Sequence, residues 1–240
     1  MSIIMIFFAL TLALALYILY LFIPQWDSWL WRAKRKARAN GRVCCLTFDD
    51  GPSKWTPGVL DILKKAGIRA TFFVTGERAA AYPDIVRKIS GEGHVIGSHT
   101  MTHRKLTFVN GDTLEKEIAG CNDTLKSITG VSPSLFRAPH GFKRPFFKRT
   151  LSKMGLTLIP WTKGIWDTDM PPADELIRRV SKKFEPLEIL LLHDGIDNRK
   201  IPQNRDSMVA ALPKIIEEYR KRGYTFMTIS ELSLPFVRGG

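Results

Sequence analysis

From Val43 to the end of the chain, short apolar runs alternate about seven times with stretches of helical periodicity, and this alternation restricts the fold more than any other feature. Val43–Phe48 reads as a strand, and Thr56-Pro57 then supplies an N-cap and a first helical residue for a helix that ends at Gly67. Further strands are expected over Ala70–Val74, Val95–Gly97, Leu135–Arg137, Thr157–Trp161, Glu188–Leu192 and Thr225–Thr228. Between them, Pro83–Ser90, Leu114–Ile128, the stretch near Arg144–Met154, Pro172–Phe184 and Met208–Arg222 read as helices. Strand–helix units in this register predict a parallel sheet covered by helices. No Gly-rich phosphate loop follows the first strand, which favours an α/β barrel over a doubly wound nucleotide fold. Barrel chemistry sits on loops at the C-terminal ends of strands, so the polar motifs should follow strands, and they do.

The N-terminus is a different material. Ile3–Ile23 runs without one charged side chain, and a helix of that length matches the hydrocarbon core of a bilayer. A cleaved signal peptide is the competing reading; no Lys or Arg precedes the run, and no clear small-x-small site follows it. Trp26, Trp29 and Trp31 stand where an interfacial aromatic belt would lie. Arg32, Lys34, Arg35, Lys36, Arg38 and Arg42 form a basic collar, which by the positive-inside rule places the C-terminal part at the cytoplasmic face and holds it to anionic lipid. The expected organisation is a single-pass anchor over residues 1–24, a basic and aromatic juxtamembrane segment over 25–42 and a catalytic domain over 43–240, at a bacterial-type cytoplasmic membrane.

The chain of 240 residues carries 36 Lys+Arg against 23 Asp+Glu, a net charge of +13. Residues 1–42 hold six Lys/Arg against Asp27, which leaves +8 on the rest and favours an anionic partner. No nucleic-acid reader motif is present, so nucleic acid is not the partner expected. Hydrophobic residues at 45% exclude a disordered chain, and the odd count of three cysteines excludes a disulfide scaffold.

Five polar segments carry the chemistry. Thr47-Phe48-Asp49-Asp50-Gly51-Pro52-Ser53 ends the first strand. Neighbouring side chains leaving a strand point apart, so one acid can bind a cation while the other accepts a proton; a solvated Asp-Gly turn is the plain alternative. Ser98-His99-Thr100-Met101-Thr102-His103 puts two histidines four apart, a spacing that lets both lie on one face of a helical turn and reach one metal. Two His and one Asp make an open site with room for water. Arg137-Ala138-Pro139-His140-Gly141 offers a planar guanidinium fork for a carboxylate. Trp161-Thr162-Lys163-Gly164-Ile165-Trp166-Asp167 and Leu191-Leu192-His193-Asp194-Gly195 follow later strands, and His193 at a barrel mouth reads as a general acid. His94 lies outside these segments and reads as structural.

In this order the five segments resemble the polysaccharide deacetylase (NodB homology) family, also called carbohydrate esterase family four, over about residues 42–232. The resemblance implies a distorted (β/α)7 barrel and one divalent metal ion, zinc by first expectation, that assists removal of N-acetyl groups from amino sugars. It implies Asp50, His99 and His103 as metal ligands, Asp49 as catalytic base and His193 as catalytic acid. Arg137 corresponds to the partner of the base and Asp167 to the residue that tunes the acid. The backbone N–H of His140 corresponds to an oxyanion donor and Leu191 to an apolar wall for the acetyl methyl. Two departures bear on substrate shape: the family commonly has an aromatic where His140 stands, and Asp-Trp where this chain reads Asp167-Thr168, so Trp166 is the candidate to supply the indole. The expected substrate is an amino-sugar glycan or a polyprenyl-phosphate-linked sugar, losing acetyl or formyl at the membrane. The competing readings are an extracytoplasmic peptidoglycan or exopolysaccharide deacetylase and an inactive, tethered sugar-binding module.

Overall fold

The computed structural model describes residues 3–22, 41–141, 147–196 and 204–232. The tryptophans at 26, 29 and 31 and the collar residues before Arg42 lie outside the described residues. Helix α1, Ile3–Phe22, carries no charged side chain, and its side chains are exposed from Ile3 to Leu19. Among the described residues no helix is long and apolar enough to cross a membrane. The expected span is unsupported on that count.

The remaining elements follow as β1 (Arg42–Asp49), α2 (Thr56–Ala66), β2 (Thr71–Val74), α3 (Gly76–Ala81), α4 (Pro83–Gly91), β3 (Val95–Ser98), α5 (Gly111–Thr129) and β4 (Leu135–Phe136). After these come α6 (Phe147–Lys153), β5 (Thr157–Leu158), β6 (Lys163–Gly164), α7 (Ala173–Ser181), β7 (Leu187–His193), α8 (Asp206–Lys221) and β8 (Tyr224–Phe226). The cap expected for α2 is present at its C-terminus, where Gly67 takes φ 63° and its N–H closes on Leu63 and Lys64. At the N-terminus no side chain caps it; Pro57 supplies the preset φ instead.

All strand pairings are parallel, in the order β5-β4-β3-β2-β1-β7-β6, with β8 beside the first residues of β1. The expected (β/α)7 barrel is thus corrected to a half-barrel with eight strands, open between β5 and β6 among the described residues. The additional strand is β6, whose two residues pair with Leu190 and Leu191 of β7. Central β1 is buried on both faces from Val43 to Asp49, as a strand covered by two helical layers must be. One layer of the core stacks Phe48 on Phe72 at 5.0 Å and fills in with Leu60, Leu63, Leu212 and Ile215 from α2 and α8. Cys44, Cys45 and Cys121 are buried and act as core side chains. His94 is structural as expected: its Nδ1 accepts from Ala70 N–H at 3.0 Å, and burial draws the imidazole below its ordinary value.

Register decides the position of the chemistry. Asp49 of β1 stands directly beside His193 of β7, so both leave the sheet at one rim. His99 follows β3, Arg137 follows β4 and Asp167 follows β6 at the same C-terminal edge.

Candidate active site

The two acids at the end of β1 diverge as adjacent strand residues should. Asp50 takes a left-handed φ of 68° and swings its carboxylate toward His99 and His103, while Asp49 faces Arg137. Gly195 makes the turn of Asp50 possible, because a Cβ there would sit 1.8 Å from the Asp50 carbonyl oxygen. Asp50 Oδ1 lies 3.4 Å from His99 Nε2 and 3.0 Å from His103 Nε2, yet this buried oxygen takes part in no hydrogen bond. His99 turns its other nitrogen, Nδ1, to the Arg137 carbonyl at 2.8 Å, which fixes the ring with Nε2 facing inward. Each of the three residues offers one ligand atom, all within 4.8 Å of one another. An orphaned carboxylate oxygen beside two converging imidazoles fits a divalent cation of borderline or hard character. Burial would raise the Asp50 carboxyl, but the nearby imidazoles of His103 and His99, with His193 behind them, hold it well below the usual carboxylate range.

His99 and His103 do not share a helical face. Their segment is an irregular loop in which Thr100 and His103 have φ of 68° and 59°. A β-branched residue in the left-handed region is costly, and its presence here belongs with the strain found at functional sites. Met101 N–H binds the Glu117 carbonyl at 2.8 Å, while the Glu117 carboxylate accepts from Thr102 N–H and Oγ1, so α5 holds the loop in place.

Arg137 is 1% exposed and lies over the Phe73 ring at 4.1 Å. Its Nη1 donates to Asp49 Oδ1 at 2.7 Å and to Thr47 Oγ1 at 2.8 Å, and Nε and Nη2 donate to the carbonyls of Ile159 and Pro160. Asp49 Oδ1 is thereby occupied, and Oδ2, 3.8 Å from His99 Nε2, faces the histidine side of the site. Across the rim, Asp167 clamps His193 twice: Oδ1 meets Nδ1 at 2.8 Å and Oδ2 accepts from the His193 N–H at 2.7 Å. Burial pulls the His193 imidazole down, but Asp167, then Asp50 and Asp49, overcome it and raise it to about 9. Asp167 thereby favours the protonated ring, the form that has a proton to give.

His140 has φ 55° and sets its ring edge-on to His103 at 4.7 Å, which brings its backbone to the metal-ligand side of the rim. Leu191 is half-buried two residues before His193, on the same face of β7. Trp166 is 66% exposed, so its indole stays in solvent while the neighbouring Asp167 is buried.

Sequence reasoning passed over Asp194. It is fully buried, accepts from Thr56 Oγ1 at 2.6 Å, and its carbonyl binds Ser53 Oγ. Burial, with Asp50 and Asp49 adding to it, raises this carboxyl to about 7. Its N–H binds the Asp49 carbonyl at 3.2 Å, so Asp194 props the Asp49-Asp50 turn from below. The repeated Asp-Gly after an apolar strand was the available signal.

An open half-barrel that gathers two carboxylates, a carboxylate-clamped histidine and a His/Asp cluster on one rim has the make-up of a hydrolytic site. Residues 36–159 match the polysaccharide deacetylase family. A peptidoglycan-N-acetylglucosamine deacetylase of Bacillus cereus is 35% identical over 199 residues, covering 80% of this chain and 89% of that protein. A chitooligosaccharide deacetylase of Rhizobium leguminosarum bv. trifolii is 32% identical over 203 residues, covering 82% and 94%. A solved peptidoglycan N-acetylglucosamine deacetylase, in complex with 4-naphthalen-1-yl-N-oxidanyl-benzamide, superimposes with a TM-score of 0.76 at 31% identity, covering 80% of this chain and 88% of that one. The chain belongs to the polysaccharide deacetylase family and is a hydrolase of amide bonds in carbohydrate.

Proposed function

We propose that the protein is a metal-dependent N-deacetylase that removes acetyl groups from N-acetylglucosamine residues of a glycan at the membrane. The observation that carries this reading is the pairing of a base and an acid across β1 and β7, with the His/Asp triad between them. The names of the relatives, peptidoglycan and chitooligosaccharide deacetylases, support the sugar. Asp50, His99 and His103 would hold the cation, zinc by first expectation, which would supply Lewis acidity to the hydrolysis.

The remaining steps belong to the chain. Asp49, oriented by Arg137, takes the proton of the water as it attacks the acyl carbon. The His140 N–H donates to the oxyanion, and Leu191 receives the methyl. His193 gives its Nε2 proton to the departing nitrogen, so acetate and a free amine leave in equal amounts. The same chemistry removes formyl, and the polyprenyl-phosphate-linked sugar is the lipid-borne form of this substrate. A deacylation screen of soluble oligosaccharides beside polyprenyl-linked sugars tests the reading; no release from any of them, with metal bound, overturns it in favour of a tethered binding module.

Asp167→Asn separates tuning of the acid from its presence. Losing the carboxylate removes the largest contribution that raises His193, while burial still lowers it. The imidazolium then persists only at lower pH, so the alkaline limb of the rate profile moves acidward. Activity falls more at pH 8 than at pH 6; an unchanged limb contradicts the assigned role.

We place residues 1–24 as the anchor, 25–42 as the juxtamembrane segment and 43–240 as the catalytic domain. The charge-free 20-residue helix α1, with apolar side chains exposed from Ile3 to Leu19, supports the anchor. The Lys/Arg cluster behind it supports a catalytic domain at the cytoplasmic face. The relatives' peptidoglycan substrates favour the opposite face as a second reading. An alkaline phosphatase fused after Gly240 is expected to be inactive; activity places the domain outside.

A further inference from the structure

A cavity of about 400 Å³ opens from Asp50 and His103 and is lined further by Thr102, Glu77, Arg78 and Ile196. That volume lies within the ~300–1,000 Å³ of small-molecule pockets, more than the reacting acyl group fills. Arg78, half-buried in the last turn of α3, is the cation of this wall. Its Nη2 donates to the Ile196 carbonyl at 3.2 Å, and among the described residues no carboxylate pairs with it. Of the two carboxylates of the lining, Asp50 faces His99 and His103, and Glu77 has an interaction of its own. An arginine has five N–H donors in a rigid fork, and most of those on Arg78 meet no partner among the described residues at the edge of a partly enclosed cavity. A guanidinium held in this way is matched by the paired oxygens of a carboxylate or phosphate.

On the deacetylase reading above, we infer that Arg78 recognises an anionic substituent, a carboxylate or phosphate, on the sugar unit beside the one being deacylated. The reacting acyl group lies at the Asp50 and His103 end of the cavity, and the next unit with its substituent extends toward Arg78. The site thereby prefers charged glycans to neutral ones without any change in the reacting groups.

The test compares the metal-loaded full chain with Arg78→Gln and Arg78→Lys on three substrates. These are a neutral N-acetylglucosamine tetramer, an oligomer alternating N-acetylglucosamine with a 3-O-lactyl sugar, and N-acetylglucosamine carried on a phosphodiester. Arg78→Gln is expected to raise KM about 10- to 100-fold on an anionic substrate, with kcat and the neutral tetramer unchanged. Arg78→Lys should restore part of the loss, as a point charge without the fork. Loss on the lactyl oligomer alone or on the phosphodiester alone identifies the source of the anion. Equal effects on neutral and anionic substrates, or none on either anion, overturn the inference. Equilibrium binding of the same three compounds decides it independently of turnover: if the wild-type protein hydrolyses none of them, the deacetylase reading fails, and equal Kd values for wild type and Arg78→Gln still overturn the role of Arg78.

Discussion

Alanine at Asp50 or at His103 abolishes divalent-metal binding and turnover together. Both side chains offer ligand atoms to one point, and Asp50 Oδ1 is buried with no hydrogen bond to replace a cation. Loss of a supporting group around a metal lowers affinity or activity ~10- to 100-fold, and loss of a ligand exceeds that. The fold should tolerate the change, because the turn that carries Asp50 is braced by Asp194, Ser53 and Gly195 through backbone contacts that the substitution leaves in place. Metal content by mass spectrometry, thermal melting and acetate release on the same sample separate the outcomes. A variant that melts normally and still binds the metal refutes the ligand assignment, and one that binds none yet keeps full activity refutes the metal's part in turnover.

Arg137→Met carries the largest expected loss of stability. The guanidinium is surrounded on every side, by Asp49, Thr47, two carbonyls and the Phe73 ring. Its removal leaves the Asp49 carboxylate buried without its partner, a change that costs about 3–5 kcal/mol. For a domain of this size each kcal/mol is worth about 2–4 °C, so the melting temperature falls by on the order of 10 °C. Turnover falls as well, since Asp49 loses the guanidinium that orients its carboxylate. Adding Asp49→Asn to Arg137→Met should recover part of the stability and none of the activity. If the double variant is no more stable than the single one, the ion pair is not the source of the loss.

The parts of the fold legible in sequence are those whose cause is local. Gly67 stops α2 because only a residue without Cβ takes its φ cheaply, and Pro83 starts α4 with a preset φ. Elements too short to repeat a pattern left no such mark: α3 has six residues, and β6 pairs through two, Lys163 and Gly164. Closure was illegible for a different reason, since whether β5 reaches β6 depends on summed strand geometry that no single segment encodes. Residue types at the site were readable because each motif follows its strand. The contacts were not, as Arg137 meets Asp49 across 88 positions and Asp167 meets His193 across 26. The His99–His103 spacing suggested a helical turn, whereas left-handed Thr100 and His103 bring the rings together in a loop. Glu188 shows the same limit in the core: it enters an apolar strand and is satisfied by Lys163 from β6 and Tyr219 from α8, partners remote in sequence.

The most direct measurement is the paired release of acetate and free amine from an N-acetylglucosamine oligomer. Purified protein is stripped by a chelator and reloaded with one equivalent of divalent metal. Equal amounts of both products from the reloaded protein, none from the stripped protein and none from Asp50→Ala are the predicted result. Undiminished release from the stripped protein, or metal binding without either product from any N-acetylated glycan, contradicts it.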